Sequence, residues 1–155
     1  MLLLSVVVSA QTENPLFPKS TTKHLRVAMS ASASTAKKGD RLSLFVDVSP
    51  NPGIHVYAPG ANDYQVITIK IDPDAGVTAG KTVYPKAETL LFEPLNERVP
   101  VFQRPFRLAL PVTFTKAPKE GKTAMVSGTL AYQACDDKVC YRPESVPVSW
   151  TLTVN

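Results

Sequence analysis

Phe106-Arg-Leu-Ala-Leu-Pro-Val-Thr-Phe114 sets Phe106, Leu108, Leu110, Val112 and Phe114 on one face of an extended chain. Side chains that alternate between two faces mark a β-strand with one side in a core. Val146, Val148, Trp150, Leu152 and Val154 repeat the pattern near the end of the chain. Leu42, Leu44, Val46 and Val48 repeat it near the start, with Arg41, Ser43 and Asp47 facing the other way. Shorter strand candidates are His24 to Met29, Ile54 to Ala58, Val66 to Ile71 and Thr123 to Tyr132. The breaks between them carry turn chemistry: Pro50-Asn-Pro-Gly53 and Asp72-Pro-Asp-Ala-Gly76 pair fixed φ angles with a glycine that tolerates positive φ, and Lys119-Glu-Gly-Lys122 supplies such a glycine in a polar break. Fourteen prolines are spread along the chain, and no uninterrupted stretch has a 3.6-residue apolar period. The expected fold class is therefore all-β, a two-sheet antiparallel sandwich of immunoglobulin-like type with about seven strands.

The chain has 155 residues, 44% of them hydrophobic, enough for one domain with a real core and no covalent help. Seventeen basic residues against 13 acidic ones give a mildly basic protein. No run of Lys or Arg is dense enough for a nucleic-acid face, and Lys37-Lys38 is too short. Residues 1–10, Met-Leu-Leu-Leu-Ser-Val-Val-Val-Ser-Ala, read as the apolar part of a secretory signal ending in a small-residue cleavage pattern, although no Lys or Arg precedes it. The alternative for this segment is a buried first strand. Residues 11–23 are polar and proline-punctuated and read as a linker, which leaves 24–155 as the folded domain. No other segment is long and apolar enough to cross a bilayer, so a soluble, monomeric, periplasmic or secreted mature protein is expected.

One stretch resists the strand reading. Tyr84 to Pro105 contains Pro85, Pro94 and Pro100, which argue against a long strand or helix, yet Leu90, Leu91, Phe92, Leu95 and Phe102 are too apolar for a free loop. It is expected either to fold over something nearby or to plug one end of the sandwich.

Cys135 and Cys140 are the only cysteines, set in Tyr132-Gln-Ala-Cys-Asp-Asp-Lys-Val-Cys-Tyr141 between two strand-like segments. The pair is expected near a hairpin tip, within reach of a partner. Closing so small a ring removes only about 2 kcal/mol of chain entropy, little for a domain of this size. A short-range bridge at a loop stays accessible to exchange. Asp136 and Asp137 disfavour a thiolate at Cys135, and Lys138 partly offsets them near Cys140. From the residues alone, a redox couple and a structural staple in a secreted binding or assembly module both stand. Metal binding through His24 or His55 has no ligand spacing behind it, and hydrolysis has no nucleophile motif.

Gly128-Thr-Leu-Ala-Tyr-Gln-Ala-Cys-Asp-Asp-Lys-Val-Cys-Tyr-Arg-Pro-Glu144, followed by Val146-Pro-Val148, closely resembles the active-site region of the amino-terminal periplasmic domain of the thiol:disulfide interchange protein DsbD. Weaker similarity runs through Gly53-Ile-His-Val-Tyr57 and Leu108-Ala-Leu-Pro-Val112, and the whole covers roughly residues 40 to 152. The resemblance implies an immunoglobulin-like sandwich whose cysteine pair relays electrons, fed by a thioredoxin-like domain and a membrane-embedded one. Its implied acceptors are periplasmic isomerases and cytochrome c maturation thioredoxins. It implies that Cys140 bonds to partners and Cys135 resolves the mixed disulfide. It also implies a supporting environment: Tyr57 beside the pair with His55 where a second tyrosine is usual, Tyr132 and Tyr141 flanking it, and a cap at Leu91 to Phe102 with Phe92-Glu93 nearest to its acidic-aromatic cluster. The family prototype has one more residue between its cysteines than this chain. These 155 residues hold no membrane or thioredoxin-like domain, so electrons are expected from separate thioredoxin-fold proteins and a separate membrane carrier. No cofactor is implied, since the sulfurs carry the electrons.

Overall fold

The computed structural model describes residues 19–73, 75–116 and 123–154. Thirteen strands follow in order: β1 (Lys19–Thr21), β2 (Leu25–Ala31), β3 (Thr35–Ala36), β4 (Arg41–Pro50), β5 (His55–Tyr57), β6 (Thr68–Ile71), β7 (Val77–Ala79), β8 (Glu88–Phe92), β9 (Glu97–Phe102), β10 (Phe106–Phe114), β11 (Thr123–Tyr132), β12 (Ala134–Cys135) and β13 (Glu144–Val154). The only helical element among the described residues is a 3₁₀ turn at Glu93–Leu95.

Two sheets form the immunoglobulin-like sandwich, one in the order β1-β2-β4-β10-β7 and the other β3-β13-β11-β6. Among the described residues, every pairing of these strands is antiparallel except the short parallel contact of β13 with β3. The alternating residues meet between the sheets as one core: Leu44, Val46, Val48, Leu108 and Leu110 from one side, Val126, Leu130, Val148, Trp150 and Leu152 from the other. Trp150 is wholly buried, and its indole N–H donates to the Phe45 carbonyl 3.0 Å away across the gap. Gly128 of β11 lies so close to β6 that a Cβ there would stand 2.5 Å from the Lys70 carbonyl oxygen.

A third sheet, β12-β5-β9-β8, was not anticipated. The proline-rich stretch supplies half of it: β8 and β9 pair from Glu88↔Val101 to Phe92↔Glu97. Proline did not prevent this because Pro94 falls in the 3₁₀ turn, where its fixed φ is compatible. Pro100 lies in β9, where its carbonyl accepts from the Ala58 N–H at 3.0 Å. Tyr57, Ala61, Val99, Val101 and Cys135 make a second, smaller core under this sheet.

The boundary expected at residue 24 also shifts. Lys19–Thr21 pair with Ala28, Val27 and Arg26 of β2, so the end of the expected linker belongs to the sandwich. Thr22 then closes the corner, its hydroxyl accepting from the N–H groups of His24 and Leu25. The signal-like segment 1–10 lies outside the described residues.

Candidate active site

β11 and β13 run side by side until Tyr132↔Glu144, and the chain between them leaves the sheet. Its first residues form β12, where Ala134 pairs with Val56 and Cys135 with His55. A tight turn follows: the Asp136 N–H donates to the Val139 carbonyl at 2.9 Å, and the Tyr141 N–H to the Ala134 carbonyl at 2.9 Å. The Asp136 carboxylate pins this turn from inside. One oxygen accepts from the N–H groups of Lys138 and Val139 at 2.8 and 2.7 Å, and the other from the Tyr141 hydroxyl at 2.8 Å. Those donors hold its carboxyl down to about 2, the Val139 N–H contributing most, so it is ionised throughout the neutral range.

The turn brings the two sulfurs together as a disulfide, with Cα atoms 4.1 Å apart. The two ends differ sharply in access. Cys135 is 1% exposed, packed in the small core, whereas Cys140 is exposed. Of the two cysteines, Cys140 is the one that solvent reaches.

Tyr57 addresses both atoms. Its hydroxyl lies 3.0 Å from Cys135 Sγ and 3.3 Å from Cys140 Sγ, and since oxidised sulfurs carry no proton, the phenol is the donor. Burial pushes its pKa up to about 12, with Tyr64 and Glu97 adding to the effect, so the proton stays on the phenol. Tyr64 stacks on Tyr57 at a centroid distance of 4.0 Å and donates to Glu97 at 3.5 Å.

The remaining expected site residues divide in two. His55 is buried beside the pair, its ring edge-on to Tyr57 at 5.5 Å, and burial lowers its pKa while Asp136 opposes the shift. Phe92 and Glu93 stand at the β8–β9 tip and, with His55, Asp136 and Asp137, line an open cleft of about 880 Å³. Tyr132 and Tyr141 serve at a distance from the sulfurs. Tyr132 is fully buried, and its hydroxyl donates to Glu144 at 2.5 Å and meets Thr22 at 3.0 Å. Tyr141 reaches Asp136 on one side and packs against the His24 ring, tilted by 33° at a centroid distance of 4.2 Å, on the other. His24 in turn lies 3.6 Å from Glu144, so the β1–β2 corner braces the cysteine turn.

Sequence reasoning missed Tyr64 and Glu97, and weighed His24 only as a metal ligand. Tyr64 sits in Ala61-Asn-Asp-Tyr-Gln65 between strands, and nothing local places it on Tyr57. The capping role of Asp136 was available, because an Asp followed by a short polar turn commonly accepts from backbone N–H groups ahead of it.

Among known families, that described as the N-terminal domain of the thiol:disulfide interchange protein DsbD matches residues 10–149. The chain belongs to this family. The match extends upstream of the resemblance read from motifs and includes β1. Among solved structures, the chain is similar to the DsbD N-terminal domain of Neisseria meningitidis in its reduced form, at 24% identity over 76% of this chain and 83% of that one, with a TM-score of 0.49. No curated protein matches. Membership in the DsbD N-terminal family and a closely spaced cysteine pair together support thiol:disulfide exchange. No helix among the described residues is long and apolar enough to cross a membrane.

Proposed function

We propose that the protein is a periplasmic protein-disulfide reductase that relays electrons through Cys135 and Cys140 between thioredoxin-fold partners. The observation that carries this reading is the unequal access of the two sulfurs, one exposed and one buried under Tyr57. In the reductive half, a donor thiolate attacks Cys140 Sγ, the Cys135–Cys140 bond breaks, and its electron pair leaves on Cys135 as a thiolate. Tyr57 donates to that developing charge before a solvent proton arrives. The donor's second thiolate then attacks its own sulfur in the mixed disulfide and frees Cys140. The donor leaves oxidised, and two electrons and two protons have passed to this protein. In the second half, the Cys140 thiolate attacks an acceptor disulfide and Cys135 resolves the adduct, which restores the bridge and releases a reduced acceptor.

The surrounding groups fit this chemistry. The β8–β9 hairpin covers Cys135 through Val99 and Val101 and acts as the cap, with Phe92 and Glu93 at its rim. Asp136, Tyr141 and Tyr132 hold the turn so that oxidation and reduction leave the sandwich unchanged. The bridge itself joins strands already tied by backbone hydrogen bonds, which leaves little for a purely structural staple to add.

Equilibration against glutathione and dithiothreitol buffers tests the reading. A potential above about −300 mV, with an unchanged far-ultraviolet spectrum on reduction, is expected of the relay. A potential well below that value, or loss of the fold on reduction, contradicts it.

A further inference from the structure

The cleft between the β8–β9 tip and the cysteine turn is acidic in a chain that is basic in total. The chain as a whole carries a formal charge of +4, yet three carboxylates, Glu93, Asp136 and Asp137, line the cleft and no Lys or Arg does. The carboxylates of Glu93 and Asp137 have no hydrogen-bond or ion-pair partner among the described residues. Asp136 stays ionised because its turn donors favour the anion. Leu90, Leu91 and Phe92 supply an apolar wall opposite.

His55 is the second and independent sign of a ligand. The residue is only 6% exposed, and its ring nitrogens make no hydrogen bond among the described residues. Neither nitrogen is sealed from solvent, and the residue lines the cleft. A nearly buried imidazole whose nitrogens have no protein partner is free to accept a hydrogen bond from a docked group. The space, about 880 Å³, exceeds what one side chain fills and matches a short stretch of extended peptide. The donors present do not form a group able to hold a metal ion among the described residues.

We propose that this cleft is a recognition subsite for a basic peptide segment of the exchange partner, in which an Arg or Lys beside the partner's cysteine enters between Glu93 and Asp137 and donates to His55. The inference rests on the exchange reading for its biological sense and names what that reading left open, the chemistry of the partner around its cysteine. Asp136 and Asp137 open the turn that ends at Cys140, so a cation held there brings the neighbouring partner sulfur to the exposed end of the bridge. The aliphatic stem of the cation lies along Leu91 and Phe92. Two partly exposed ion pairs of this kind amount to roughly a tenfold preference at low salt.

The test uses two disulfide-linked pentapeptide dimers, acetyl-Ala-Arg-Cys-Arg-Ala-amide and its Glu counterpart, reacted with the reduced full chain. The overall positive charge steers the acidic peptide in, so a preference for the basic one reports the cleft. The expected result is about tenfold faster reaction of the Arg peptide at low salt, falling to near unity in Glu93→Gln/Asp137→Asn and at high salt. A cysteine-free acetyl-Ala-Arg-Ser-Arg-Ala-amide should shift the His55 imidazole signals in the nuclear magnetic resonance spectrum. Equal rates for the two dimers, or faster reaction of the Glu peptide, overturn the subsite and leave the exchange reading standing. If neither dimer reacts, the exchange reading fails, and the cysteine-free peptide then decides the subsite: a saturable His55 shift supports it and no shift overturns it.

Discussion

The Tyr57 hydroxyl donates to Cys135 Sγ at 3.0 Å from within the small core, while Cys140, whose Sγ lies 3.3 Å from the same oxygen, is an exposed residue. One phenol thus contacts the sulfurs of both a buried and an exposed cysteine. A charge-assisted hydrogen bond of this type is worth about 1.5–3 kcal/mol to the thiolate. In Tyr57→Phe the proton affinity of the more acidic thiol should rise at least about tenfold. The exchange rate at pH 7 should fall by less, about fourfold to twentyfold, because the more basic thiolate is intrinsically more nucleophilic. Thiolate absorbance against pH, together with single-turnover kinetics, measures both effects.

His55 should make stability fall in mild acid. Burial holds its folded pKa below 6.5, so as pH drops the unfolded chain takes the proton first and the native state loses ground. The contribution is fully present above about pH 6.5 and is lost below it. In His55→Tyr this part of the acid slope should vanish. Urea midpoints between pH 8 and pH 5 provide the comparison.

Asp136 acts in a lower window. Its folded carboxyl titrates at about 2 against an ordinary 3.8, so the unfolded chain binds a proton at higher pH than the native state does. Its stabilising effect is present above about pH 4 and disappears as pH falls towards 2. Asp136→Asn should flatten the stability profile in that window alone. At neutral pH the same variant should loosen the turn, seen as faster amide exchange at Lys138 and Val139.

Trp150→Phe removes the donor to the Phe45 carbonyl and opens space between the sheets. A loss of about 2–3 kcal/mol is expected, with the urea m-value unchanged and the thiol exchange rate intact. Such a result separates the scaffold from the site.

Strands whose faces split cleanly between core and solvent were legible from the chain. Thr123–Tyr132 and Phe106–Phe114 fall where the alternation of apolar residues placed them. The cysteine pair and Tyr57 were legible as well, through a motif held in one short segment and one strand. The third sheet was not. β12 has two residues, too few for any period to register, and Pro94 in the β8–β9 turn and Pro100 within β9 locally argue against strands. What stabilises them is distant: β9 pairs with β5, and Val99 and Val101 bury Cys135. Glu97 reaches the site at the start of β9, and Tyr64 through the chain return closed by the Tyr57↔Val66 bridge. Contacts made by folding back leave no local signature, which is why the motif found the sulfurs and missed the tyrosine stacked behind them.

The most direct measurement is a paired trap, in which Cys135→Ser and Cys140→Ser are each incubated with an oxidised thioredoxin-fold protein and the adducts are counted by mass. Cys135→Ser, which keeps the exposed sulfur, should accumulate a mixed disulfide through Cys140, and Cys140→Ser should give little or none. Adducts formed equally by both variants, or by neither, would contradict the assignment of Cys140 as the sulfur that meets partners.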